Sequence, residues 1–506
     1  MATRLSTNSK SANQLNRHFA LKGIARGLLI APLVLGMACQ STPSVNAPAA
    51  VVVTERSATS STAQSNRSSD MGISSSWSNA LPASFDIARE LVEQELDVDL
   101  SHIQLQLVDN KPINAEVALE TDRLVREQFG NSPFANHFVE QVMRPLDGSY
   151  AALYSSRLDS VMISRSMLES YENSLPADTG ADERQAALLT LLIHELVHAA
   201  DDVRYRIHDN RELSFRASFA QSATFEGHAQ WLTRRICEQA GCSSGLDSLD
   251  RFMFGATDLR NRPVDAEEAA SRDVLEYSYV EGERFVTALA NRTNGAALLD
   301  SLLSSPPVDP IQILAPDTYP DLAREQRNQR LIKASLNVTH PWAQQPWIGV
   351  ETSPLKGINL RADPERRQAA IDGFTKLIEA MISMQFYDQQ TLGAAPAEAT
   401  LLQAESAATA SMFANMLHTN TQISGARSND EPFTLGLNGG EGDKAHIYRT
   451  AVDAEMNFLT VIVVAGKHVV QVSGNVEDMS ILDDYAVQVL TRLSQPQKFA
   501  DSGYNQ

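Results

Sequence analysis

The chain has 506 residues, with 62 Asp and Glu against 42 Lys and Arg and a net charge of −20. A protein that neutralises nucleic-acid phosphates needs a basic face, so this balance argues against that class. With 43% hydrophobic and 21% charged residues, wholesale disorder and a collagen-like fibre are excluded, and the length suits two to three domains.

In chain order, the first 38 residues carry Arg4, Lys10, Arg17, Lys22 and Arg26 without an acidic residue, and end in the apolar run GLLIAPLVLGMA before Cys39. This pattern predicts an export signal, residues 1–38, because the run is too short for an ordinary membrane span. With Gly36 and Ala38 ahead of it, Cys39 resembles the modified cysteine of a bacterial lipoprotein, although Leu35 stands four residues before it rather than the usual three. The resemblance implies lipidation at Cys39 and a membrane anchor in the cell envelope, at the outer membrane or the periplasmic side of a Gram-negative host. A plain secretory signal with an incidental cysteine is the other reading. Residues 39–84, rich in Ser, Thr, Ala and Asn, predict a flexible tether.

The segment GSYAALYSSRLDSVMISRS alternates well enough for two short strands or a hairpin. After it, ADERQAALLTLLIHELVHAADD has no internal Gly or Pro and starts with acidic residues, which predicts a largely buried helix from about Asp182 to Asp202. Within it lies His194-Glu195-Leu196-Val197-His198, an HExxH motif. A spacing of four puts both imidazoles on one helix face a turn apart, suited to gripping one zinc ion. Glu195 lies about 100° further round, able to reach a metal-bound water without being a ligand. The plainer reading keeps both histidines as hydrogen-bonded core residues. The metzincin pattern needs Gly at 201 and His at 204; Asp201 and Arg204 stand there, so that class is excluded.

A second helix, about Leu213 to Gln239, contains ATFEGHAQ. Glu226, flanked by the small residues Ala223, Gly227 and Ala229, is the expected third ligand of a His2Glu site, with an ordinary solvated glutamate as the alternative. His228 lies about 200° round the same helix and is expected at the surface.

These motifs carry a family resemblance. HELVHAADD followed by ATFEGHAQWL resembles the gluzincin metallopeptidases, especially bacterial proteins that pair an HELxHAxxD helix with a later EGxA helix. The likeness continues into Tyr279–Phe285 (YVEGERF) and Pro307–Tyr319 (PVDPIQILAPDTY), covering roughly residues 150–320. It implies a zinc-peptidase fold with His194, His198 and Glu226 as ligands, Glu195 as base and one zinc ion per chain. It also implies an oxyanion donor, for which Tyr279 is the candidate, on an inward stripe with Leu275, Gly282, Val286 and Leu289. A packing tyrosine is the duller account. The sheet edge beside the metal helix is expected, by the same resemblance, to hold an extended peptide. Asp201 and Asp202 each stand near the metal-binding face and could orient a ligand histidine, or simply solvate the helix end.

Cys237 and Cys242, at a helix end with Gly241 as a stop, form a candidate disulfide for an oxidising compartment. From His340 to Lys356 the chain turns Pro- and Trp-rich, a predicted connection. Beyond it come predicted helices at about Pro364–Met384 and Ala397–Leu417, strands near His446–Val452, Asn457–Ala465 and His468–Ser473 with a turn at Gly466 and Lys467, and a helix near Ser480–Leu493. His446 and His468 are read as structural. The expected fold is α+β: a gluzincin-like domain over 85–345, a small sheet with a helical active-site core, then a smaller α+β domain over 346–506. The leading expectation is an exported, membrane-anchored zinc metallopeptidase acting on a peptide or protein substrate, with no nucleic-acid partner. The alternative is a catalytically inert surface lipoprotein that keeps the fold for binding.

Overall fold

The computed structural model describes residues 76–133, 135–136, 139, 150–207, 215–254, 273–336, 338, 347–351, 364–388, 397–423, 427–434, 444–453, 458–475 and 480–494. The export signal, Cys39 and the tether as far as residue 75 lie outside the described residues.

The first described element corrects the tether's end. Residues expected to be flexible form α1 (Ser76–Leu96), whose stripe Trp77, Leu81, Phe85, Ala88 and Val92 is buried against the metal-motif helix. Polar residues between the stripe positions lower the average hydrophobicity, while the 4,4,3,4 spacing still makes one apolar face. The indole of Trp77 meets the Tyr171 ring edge-on at 5.0 Å.

Next come β1 (Gln104–Val108), α2 (Asn110–Phe129), β2 (Ala152–Ser155) and β3 (Ser160–Ser164). The expected hairpin forms: β2 and β3 pair antiparallel, β1 adds parallel to β3, and the order β1-β3-β2 leaves β2 on the edge, against the metal-motif helix. The Ser164 hydroxyl accepts from the Met167 N–H and so caps α3 (Arg165–Ser174).

The helical core follows as α4 (Ala181–Tyr205), α5 (Phe215–Ala240), α6 (Ser243–Phe254), a π-helical turn (Glu276–Glu281), α7 (Gly282–Ala290), α8 (Gly295–Leu302) and α9 (Pro310–Leu314). Helix α4 is buried almost throughout from Ala186 to Asp201, as its unbroken apolar run requires. Helix α5 ends where Gly241 takes φ +79°, and Cys237 and Cys242 form a disulfide across that end. Asp309 and Gln312 make a capping box on α9.

The second unit is built on one antiparallel sheet of seven strands in the order β4-β5-β6-β10-β9-β8-β7. Its elements are α10 (Ala323–Leu336), β4 (Trp347–Glu351), α11 (Pro364–Leu377), β5 (Ile378–Asp388), β6 (Ala397–Ala404), α12 (Ala407–Ile423), β7 (Arg427–Thr434), β8 (Lys444–Asp453), β9 (Phe458–Ala465), β10 (His468–Asn475) and α13 (Ser480–Ser494). Helices α10 and α13 cover one face, while α12 and the end of α11 cover the other. The β9–β10 hairpin turns at Gly466 and Lys467, with Gly466 at φ +53°, and the last helix forms as expected.

Two expected helices are corrected. Pro364–Met384 is helical only to Leu377 and then becomes β5, and Ala397–Leu417 begins as strand β6 before α12. Both strands do alternate, with Ala380, Ile382, Met384 and Phe386 of β5 and Ala397, Ala399 and Leu401 of β6 on one apolar face, but the helix-favouring Ala, Met, Leu, Glu and Gln that make up the pattern hide it. The connection from His340 to Lys356 contains strand β4, which pairs with β5. The boundary at 345/346 also moves: Leu331 and Ala334 of α10 already belong to the core of the second unit, whereas Ile371 of α11 belongs to that of the first.

At the joint, Arg324 pairs with Asp309 at 3.2 Å, Arg216 with Glu325 at 2.7 Å, and the Asn328 amide donates to Asp309 at 2.7 Å. Among the described residues no helix is long and apolar enough to cross a membrane.

The His446 side chain lies outside the described residues. His468 is largely buried, and burial together with the Arg330 and Lys467 charges pushes its pKa down to about 4, against an opposing pull from Glu379. A folded-state value below the unfolded value of about 6.5 means that the unfolded chain takes up the proton first as pH falls. Stability from this residue is therefore whole above about pH 6.5 and declines toward pH 4, by about 3 kcal/mol at most. Denaturant unfolding at pH 7 and pH 4.5 should show a smaller acid loss in His468→Gln than in the wild type; equal losses would contradict the assignment.

Candidate metal centre

His194, His198 and Asp201 recur at spacings of four and three, so one stripe of α4 carries all three, and all are buried. Helix α5 crosses this face and presents Glu226, also fully buried. On another side α5 is crossed closely by α7, because of glycine: a Cβ on Gly227 would fall 2.1 Å from the Gly282 carbonyl carbon, and one on Gly282 would fall 2.1 Å from the Ala223 carbonyl oxygen. The π turn and α7 thus press directly on α5 beside Glu226.

The three side chains converge. His194 Nε2 lies 3.2 Å from Glu226 Oε2 and 3.2 Å from His198 Nε2, and His198 Nε2 lies 3.3 Å from the same carboxylate oxygen. Protons cannot satisfy all three contacts at once: two neutral imidazoles that both donate to the carboxylate turn two N–H groups on one another. A cation satisfies them together. A tetrahedral zinc with bonds of about 2.0–2.1 Å holds its ligand atoms roughly 3.3–3.4 Å apart, close to the triangle found. His194, His198 and Glu226 therefore form a group that could hold a metal ion. Burial alone would raise the Glu226 pKa, but the charge of His198 and hydrogen bonds from both imidazoles bring it down to about 2, so the carboxylate is ionised and ready to ligate.

Glu195 is fully buried but turns to a different partner: its Oε2 accepts from the backbone N–H of Tyr154 on edge strand β2, at 2.9 Å. The Tyr154 hydroxyl donates to Asp202 Oδ2 at 3.3 Å. Burial and the Asp202 and Asp159 carboxylates push that phenol's pKa well up, so it remains a donor. Tyr154 was not a candidate from sequence, since a backbone donor leaves no mark on residue type; the hairpin ahead of the motif was the one available signal.

Tyr279 lies in the π turn, buried, with its ring stacked on that of His194 at 5.9 Å between centroids and 27° between planes. Two expectations are corrected. His228 is not at the surface: it is buried, and its Nδ1 lies 2.8 Å from Asp201 Oδ2. Helix α5 is polar in sequence yet enclosed on every side from Arg216 to Gln230, Ser222 and Thr224 included, and reaches solvent only in its last turns beyond His228. Asp201 Oδ2 meets His228 in place of His194 or His198, and Asp202 Oδ2 accepts from the Tyr154 hydroxyl.

No protein-family model, curated protein or solved structure matches the chain. The site is therefore read from its own chemistry. A 670 Å³ cavity elsewhere, lined by Arg234, Glu281, Arg284 and Leu314 among others, includes none of the three converging residues.

Proposed function

We propose that the protein is a zinc-dependent metallopeptidase of gluzincin type. The observation that carries the reading is the convergence of His194, His198 and Glu226 from two crossing helices, with Glu195 beside them and outside the triangle. Zinc bound there supplies Lewis acidity, polarising a carbonyl and easing deprotonation of a water. Glu195, oriented by the Tyr154 N–H, takes the water's proton and passes it to the leaving amine. Tyr279, against the His194 ring, is the candidate donor to the developing oxyanion. An extended peptide or protein substrate would pair with the edge of β2 away from β3 only by displacing Glu195 from the Tyr154 N–H, since the strand is buried throughout.

Export belongs to the same proposal, with a membrane anchor through Cys39. It is supported by the basic-then-apolar N-terminus and by the Cys237–Cys242 disulfide, a bond that persists in oxidising compartments. A second reading, an inert binding module, is favoured by one observation: His194, Glu195 and Glu226 have no exposed surface. The two readings part on a peptide-library digest. The zinc-loaded chain should cleave, lose cleavage to a chelator and regain it with zinc; metal binding without cleavage would favour the inert module.

A further inference from the structure

We propose that Arg367, on the first helix after β4, is a positioning residue that staples the π turn and so holds Tyr279 against His194. The C-terminal unit thereby sets the geometry of the candidate metal centre. The metal-facing half of this inference rests on the function proposed above.

A π-helical turn is rarer than an α-helical one and needs its surroundings to select it. Here the Gly282 N–H reaches back five residues to the Tyr277 carbonyl, and the turn begins at Glu276 and ends at Glu281. Arg367 meets both ends: its Nη2 lies 2.9 Å from Glu281 Oε1 and its Nη1 3.7 Å from Glu276 Oε1. Glu281 is 1% exposed and Arg367 9%, so both charges leave water for this contact. Such burial costs several kcal/mol per ion, and an apolar pair would stabilise the packing as well or better. What the ion pair adds is position: one guanidinium lies against Glu281 and faces Glu276, the two carboxylates that bound the turn, as an ion pair and not as a hydrogen-bonded fork. Arg284 also pairs with Glu281, at 2.7 Å, but it is half exposed and on the same helix, so it ties the turn to nothing else.

Arg367 belongs to α11, and Ile371 and Phe374, four and seven residues on, pack into the core of the first unit. One face of α11 is thus docked beside the turn. On its other side the turn abuts α5 through Gly282 and Gly227, next to Glu226. A turn that relaxed to α-helical register would slip by one residue, about 100°, and carry the Tyr279 ring off His194.

The test uses the full chain with Arg367→Met, which keeps an unbranched side chain and removes the guanidinium, and Arg367→Lys, which keeps the charge. Hydrogen exchange read by mass spectrometry over residues 274–290 should rise tenfold or more at 277–282 in Arg367→Met and by an intermediate amount in Arg367→Lys. Zinc release to a chelator should quicken in Arg367→Met and in Tyr279→Ala, and the double variant should release no faster than Tyr279→Ala alone. Unchanged exchange at 277–282 in either folded Arg367 variant would overturn the staple, and additive release rates would overturn its action through Tyr279. If the wild type retains no zinc, the metal reading falls while the exchange result still decides the staple.

Discussion

Glu195→Gln should lower peptide cleavage by roughly 10²–10⁴-fold while zinc stays bound. Glu195 stands outside the ligand triangle, and a glutamine amide oxygen can still accept the Tyr154 N–H, so neither the metal group nor the β2 contact is disturbed. What the amide cannot do is take a proton from water. Steady-state rates on a cleaved library peptide, with metal content measured on the same sample, test this. Activity within a few-fold of wild type would remove Glu195 from the chemistry, and lost zinc would place it among the ligands.

Gly227→Ala should destabilise the fold by about 3 kcal/mol or more and empty the metal site. The added methyl would lie 2.1 Å from the carbonyl carbon and 2.4 Å from the carbonyl oxygen of Gly282, and backbone cannot rotate aside as a side chain does. Helices α5 and α7 must part, and the residue before the clash is Glu226, one of the three that could hold the metal ion. Gly373→Ala provides the contrast, since a Cβ there meets nothing within 4 Å. In the interior of α11 it should gain about 0.5–1 kcal/mol. Denaturant midpoints for both variants check the pair; near-equal effects would mean that the Gly227–Gly282 contact is not as close as described.

Helix α4 was legible in the sequence because two local signals agree there: an apolar run without breakers and a ligand spacing of four. Glu226 was picked out by the small residues beside it, although Ala223 and Gly227 turn out to face Gly282 of α7 and not helix α4. What failed was burial judged from residue type. His228 sits in a polar stretch yet is enclosed, because enclosure depends on helices that arrive from elsewhere in the chain. Strands β5 and β6 read as helices because their period-two mark, Ala380, Ile382, Met384, Phe386 and Ala397, Ala399, Leu401, is written in residues that favour helices. The α1 stripe was hidden in the opposite way, by Ser, Asn and Ala between Trp77, Leu81 and Phe85. Tyr154 and Arg367 act through a backbone N–H and a contact over 86 residues from Glu281, neither of which local pattern carries.

The central claim is that the triangle of His194, His198 and Glu226 exists to hold one metal ion. It is tested most directly by plasma mass spectrometry on the purified chain after brief zinc exposure and desalting, beside Glu226→Ala. The account predicts about one zinc per wild-type chain and little in the variant. No retained metal in the folded wild type, or undiminished zinc in Glu226→Ala, would contradict it.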